Sequence, residues 1–320
     1  MLAIIIPYFK LTFFKATLQS LAVQTCQDFK VYIGDDASPE DPSMLLEKYK
    51  GIFDFVYHRF ETNLGGTSLT QQWERCIALS KEEDWLMILG DDDVLDENVV
   101  EEFQKKKDKI NQEGINVVRF ATQIIDEKGK INSAIYLHTV IEKSTDFLVK
   151  KFSKQTRSSL SEYVFNKRAL ISKGFRNFPV AWHADDMGVL EFSDFDNCYS
   201  INESLVYVRL SLMNITGDVS LDDLKNSATF EFCKVLFEEY SPRFTVSQKA
   251  IILMKLEMAF WNIPSFERYG VLVAHYAKQL GLKKTIGFLM KTLRTLVIVF
   301  LKKVHLFPSI HLIYSKIFKK

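Results

Sequence analysis

Leu2 to Pro7 reads LAIIIP, a run without a charged residue. A strand exposed on one face alternates polar and apolar positions, so an unbroken apolar run of this length reads as a strand buried on both faces. The pattern returns four times in the first 125 residues, in FKVYIGDD, FDFVYHRF, DWLMILGDDD and INVVRFATQII. Segments with helical spacing stand between these runs. LTFFKATLQSLAVQ places Phe14, Leu18 and Leu21 on one side. DPSMLLEKYK offers Asp41 as N-cap and Pro42 as first helical residue. TSLTQQWERCIALS is a third helix, and DENVVEEFQKKKDKI a fourth, with an acidic start and a basic end that suit the helix dipole. DEKGK after the fifth strand has the composition of a hairpin turn. Strands alternating with helices predict βαβ units, hence an α/β fold with a mostly parallel central sheet and flanking helices.

In such sheets ligands bind outside the carboxyl ends of the strands. Three expected strands end in polar or aromatic groups: Pro7-Tyr8-Phe9, Asp35-Asp36 and Asp91-Asp92-Asp93. The three consecutive aspartates have a plain reading as a helix cap. A cap needs one acid, however, and here a rim of acids gathers at one edge. No GxGxxG or GxxxxGK[ST] follows the first strand, which argues against dinucleotide-binding and P-loop chemistry. NLGGTS, Asn63 to Ser68, is a glycine turn leading into a helix, as a loop or a weak phosphate cradle.

Residues 131–215 read as short strands (SLSEYVFNK, NCYSIN, SLVYVRLS) mixed with short helices, and from Asp218 onward the expectation is helices alone. A soft boundary near Asn214 to Asp218 divides a sheet-bearing region at 1–215 from a helical region at 216–320. HADDMGVLEF carries a second acidic pair, Asp185 and Asp186, at the start of a helical pattern. The formal net charge of +1 excludes a global basic field for nucleic acid. Cys26, Cys76, Cys198 and Cys233 show no metal spacing and read as reduced thiols of a cytoplasmic protein. MLAIIIPYFK lacks a signal peptide's basic start and cleavage site.

Carboxylates at a sheet edge suit a hard cation. Mg²⁺ or Mn²⁺ is typically held by one or two carboxylates together with substrate phosphates. The cation offsets charge on a leaving diphosphate. An acid set apart from it, Asp185 or Asp186, suits a general base, with helix capping as the alternative.

Five segments, in order and at family-like spacing, resemble family 2 glycosyltransferases of the GT-A fold over roughly residues 1–215. They are IIIPYFK, QTCQDFKVYIGDDAS, NLGG, WLMILGDDDVLDEN and ADD. The resemblance implies that Pro7 shapes the first turn and that Phe9 packs on the nucleotide base. It implies that Asp36, with Asp35 beside it, meets the uracil ring. It makes Asp92 the metal ligand, with Asp93 on the motif's last aspartate and Asp91 on its serine. Gly90 departs from the family's first aspartate, leaving Asp91 as the available replacement for the ribose contact. Asp186 falls on the acceptor-side base, Asp185 on the preceding glutamate, and Arg209 near a cationic diphosphate contact. The implied activity is metal-dependent inverting transfer from a nucleotide sugar, expected to be a UDP-sugar, to a saccharide or lipid-linked saccharide. Two other classes stay open: a nucleotidyltransferase, although PYFKLTFF lacks its glycine-rich loop, and a non-catalytic GT-A-like module.

The tail from Leu282 is apolar and rich in Lys and Arg. Its uncharged run, Thr295 to Leu301, is far short of the ~20 apolar residues of a transmembrane helix. Two readings remain: a basic amphipathic helix on an anionic membrane surface, or a helix packed on the catalytic region.

Overall fold

The computed structural model describes residues 1–303. In chain order the elements are β1 (Leu2–Tyr8), α1 (Phe14–Ala22), β2 (Phe29–Asp35), α2 (Ser43–Leu46), β3 (Phe55–Arg59), α3 (Leu69–Ile77), β4 (Trp85–Ile88), β5 (Val94–Leu95), α4 (Val99–Gln112) and β6 (Val117–Ile125). There follow β7 (Ile141–Lys143), α5 (Ser144–Phe152), β8 (Tyr163–Asn166), α6 (Lys167–Lys173), α7 (Ala184–Phe192), β9 (Asn197–Arg209), α8 (Asp222–Glu239), α9 (Val246–Asn262), α10 (Phe266–Leu280) and α11 (Leu282–Lys303). All strands join one sheet in the order β3-β2-β1-β4-β8-β6-β9-β5, with β7 also on β9.

The apolar runs explain the sheet. β1 is central and buried on both faces, parallel to β2 on one side and β4 on the other; β3 continues the parallel half. Strand periodicity then sorts β1 between two cores. Leu2, Ile4, Ile6 and Tyr8 pack with α1, α2 and α4; Ala3 and Ile5 pack with α3 and the later helices. The other half of the sheet is mixed. β8 runs antiparallel to both β4 and β6, and β6 is parallel to β9.

NCYSIN and SLVYVRLS, which read as two strands, form the single strand β9. Its register to β6 jumps from Ile201 to Leu205. The Asn202 side chain at this bulge exchanges hydrogen bonds with the backbone of His138, at 3.0 and 2.8 Å. The helix expected after Asp41 is a short turn, α2, because the Asp41 carboxylate accepts from both the amide and the hydroxyl of Ser43 instead of capping a longer helix. DEKGK is a hairpin turn as expected, closed by Asp126 N donating to Lys130 O and Gly129 N to Asp126 O. From Asp218 the described residues are helices and 3₁₀ turns. α8–α11 share the apolar cluster on the Ala3–Ile5 face, through residues such as Phe232, Leu256, Leu272 and Phe288. No helix among the described residues is long and apolar enough to cross a membrane. Residues 304–320 of the basic tail lie outside the described residues.

Candidate functional site

A cavity of about 470 Å³ opens at the carboxyl ends of β1, β2 and β4, and the end of β9 closes one side. Pro7, Phe9, Asp36, Asp91, Asp92, Asp93 and Arg209 all line it. The sheet thus brings together seven of the residues singled out from the sequence. Asp35, Asp185 and Asp186 are not among its lining residues.

The three aspartates differ in role. β4 ends at Ile88, and Leu89 N still donates to Ile5 O, so Gly90 is where the chain turns. The Asp91 carboxylate accepts from the amides of Phe9 and Lys10, both at 2.8 Å, and fixes the loop after β1. The Asp93 carboxylate accepts from Arg209 N at 2.8 Å, while Ser161 Oγ accepts from Gly90 N at 3.0 Å. Asp92 is held more loosely, by Asn214 Nδ2 at 3.4 Å. A Cβ on Gly90 would lie 2.9 Å from Asp92 Oδ1 and 3.2 Å from Asp93 Oδ2, so both carboxylates converge beside that glycine.

Their electrostatics follow from this crowding. Burial, then the neighbouring Asp92 charge, pushes Asp93 up to about 7 and Asp91 up to about 6. Burial also raises Asp92, against the Asn214 hydrogen bond and the Arg209 charge. Two converging carboxylates that resist ionisation are a donor set a hard divalent cation would relieve. Among the described residues no group of three or more His, Cys, Asp or Glu assembles for a metal. The fit is therefore to a cation that takes one or two carboxylates and completes its shell with water and phosphate oxygens.

Asp36 faces the cavity with its oxygens occupied. Oδ1 accepts from Leu64 N at 2.7 Å, Oδ2 from Gly65 N at 2.9 Å, and the Arg75 guanidinium pairs with it. NLGG is therefore a loop folded onto Asp36. Asp35, on the other side of β2, is fully buried and binds Ser38 N, Tyr57 Oη and Arg59. Arg209, which the resemblance sets near a diphosphate contact, is buried. Nε donates to Asp92 O and Nη1 to Asp126 O, at 2.8 and 2.7 Å, and the guanidinium carbon lies 4.6 Å from the Phe13 ring centroid.

Outside the cavity lining, beside Ser158, α7 presents the second acidic pair. Asp186 is buried between Lys151 Nζ and His183 Nδ1, each at 2.6 Å, and Ser158 Oγ is 3.5 Å away. Burial alone would raise it, but the Lys151 ammonium and the His183 contact hold it well below the usual carboxylate range. His183 Nε2 reaches Thr229 Oγ1 of α8 at 3.0 Å. Asp185 is partly exposed, and burial, then the Asp186 charge, pushes it up to about 6. Val180, Ala181 and His183 take φ of 50°, 53° and 70° in the turn that delivers this pair. Such left-handed residues persist where the surroundings hold them, and they cluster at functional sites.

Residues 3–167 match the model of Glycosyl transferase family 2. The chain belongs to this family. It is a glycosyltransferase with a GT-A fold. Among solved structures it is similar to S. aureus TarS 1-349 in complex with UDP-GlcNAc, at 13% identity and a TM-score of 0.63. That match covers 87% of this chain and 80% of the other. It is also similar to S. aureus TarS 1-349 in complex with UDP, at 15% identity and a TM-score of 0.53, covering 89% and 88%. At these identities the likeness is one of fold. No curated protein sequence matches the chain significantly.

In this glycosyltransferase several site residues escaped the sequence reading. Lys10 lines the cavity, and its Nζ donates to Met213 O. The only sequence signal for it was its place in the turn after Phe9. Asn214, Arg75 and Lys151 reach the aspartates, and Ser161 the Gly90 amide, from distant segments, and nothing local in the sequence marks them.

Proposed function

We propose that the chain transfers a sugar, with inversion, from a UDP-sugar in this cavity to a saccharide hydroxyl. The observation that carries the reading is the convergence of Asp92 and Asp93 beside Gly90, in a cavity that also holds Phe9 and Lys10. Similarity to TarS structures holding UDP-GlcNAc and UDP supports a uridine nucleotide as donor.

The roles divide as follows. Phe9 offers its ring to the base. Asp36 shapes the NLGG loop beside the nucleoside. Asp91 fixes the β1 loop through two amides, so those amides are not free to cradle a phosphate; this disfavours the nucleotidyltransferase reading. Asp92 and Asp93 would hold Mn²⁺ or Mg²⁺. When bound, the cation neutralises the charge developing on the departing diphosphate. Lys10 and Arg209 add positive charge at the same wall. Asp185, partly exposed and pushed up to about 6 by burial and the Asp186 charge, takes the proton from the incoming hydroxyl. Asp186 is already matched by Lys151 and His183, and it positions Asp185 and the start of α7.

Calorimetric titration of UDP with and without Mn²⁺, beside Asp92→Ala, tests the donor site. Mn²⁺-dependent binding lost in the variant is the expected result. Binding of UDP that ignores both Mn²⁺ and Asp92 removes the cation from the reading. No nucleotide binding at all favours a non-catalytic module.

A further inference from the structure

α11 is amphipathic in the inverted sense. The side turned to the protein carries Thr285, Phe288 and Thr292, all buried. The outer side carries Leu282, Ile286, Leu289, Met290 and Leu293, between 37% and 75% exposed. At ~100° per residue these five fall within an arc of about 100°, and Lys283 and Arg294 border that arc. A helix that only completed a core would turn its leucines inward and its threonines outward.

Charge narrows what the outer face can meet. From Arg268 to Lys320 the sequence has no Asp or Glu and eleven Lys and Arg. A second copy packed here face to face would set these like charges against one another. The same objection applies to residues 304–320 folding back, since they too carry lysines and no acid. A surface that is apolar just below a layer of negative charge answers both features at once.

We infer that the outer face of α11 docks on an anionic lipid bilayer. The helix lies in the plane of the interface, its five apolar side chains reach the acyl boundary, and Lys283 and Arg294 meet the headgroups. The attachment has a direction relative to the site. α11 packs on α10, α10 on α9 and α9 on α8. α8 bonds His183, the partner of Asp186, through Thr229. The bilayer therefore adjoins the helical layer behind the acceptor-side acids and not the face formed by α1, α2 and α4.

Flotation of the full chain decides the matter, using vesicles of phosphatidylcholine alone and of phosphatidylcholine with phosphatidylglycerol. The expected result is flotation with the phosphatidylglycerol vesicles, weakened by salt. The double variant Ile286→Glu/Leu293→Glu should lower vesicle affinity at least about tenfold. Both side chains point outward, so unchanged UDP binding and thermal unfolding should show that the variant is folded. Two results overturn the inference: a chain that stays with the lipid-free fraction in both mixtures, or flotation indifferent to the double variant. Light scattering adds a third. A dimer that the double variant turns into a monomer would make the face a contact between copies.

Discussion

A methyl group at position 90 would press on Asp92 Oδ1 and Asp93 Oδ2, at 2.9 and 3.2 Å. Both atoms end flexible side chains, so Gly90→Ala should leave the fold intact and spread the two carboxylates. We expect Mn²⁺-dependent UDP affinity to fall about 10–100-fold, the usual cost of disturbing a ligand's support, with little change in melting temperature. Full Mn²⁺-dependent affinity in that variant would detach Gly90 from the cation site. The acidic pair separates at the same scale. Asp185→Asn should abolish transfer and spare UDP binding and stability. In the parent chain transfer should fail as pH drops through about 6 and Asp185 takes up its proton. Asp186→Asn removes a buried partner of Lys151 and His183 and should destabilise the fold by roughly 3 kcal/mol, read by thermal unfolding. A stable Asp186→Asn enzyme without transfer, beside an active Asp185→Asn, would reverse the two roles. The aspartates themselves were legible because strand ends rich in acid are rare without a use. That Asp36 and not Asp35 faces the cavity came from the family resemblance alone, not from the local pattern. Neighbours in a strand point to opposite sides, and the occupants of each side, Tyr57 and Arg59 or Leu64 and Arg75, come from other segments.

Elements came through the sequence reading unevenly. The parallel half was plain, since runs such as LAIIIP can sit only between two cores. β9 was not, because the bulge at Asn202–Ser204 looks like a loop until His138 is seen holding it. That strand matters to the site. Arg209 at its end ties three pieces together: the aspartate turn through Asp92 O, the hairpin through Asp126 O and Glu127 O, and α1's approach through Phe13. Arg209→Ala leaves these carbonyls without their donor and should cost about 1–3 kcal/mol of stability together with affinity for UDP. Arg209→Lys should recover little, because an ammonium cannot span the fork. Unfolding and calorimetry of the two variants check this. A lysine variant equal to the parent would mean that charge alone is needed at the end of β9.

At the scale of the molecule, a helical end layer was legible, but not which side of α11 it turned outward. That depends on Phe288 joining the apolar cluster shared with α10, while Thr285 and Thr292, buried beside it, return their hydroxyls to Gly281 O and Phe288 O. The molecule's response to pH joins the scales. Asp93 and Glu162, both raised to about 7 by burial, hold protons in the folded state that the unfolded chain has released. Folding stability should therefore fall as pH rises toward and through about 7. His138 and His183, lowered by burial, act with the opposite sign: the unfolded chain takes up protons that they refuse below about 6.5. The two effects blur one another in acid, so the informative quantity is the increment produced by Mn²⁺. A cation on Asp92 and Asp93 must displace the proton on Asp93, so its stabilisation should be small well below pH 7 and grow as pH rises through it. Thermal unfolding across this range, with and without Mn²⁺, reads that increment directly. An increment equal at acid and neutral pH would place the cation on groups that are already ionised, away from Asp93.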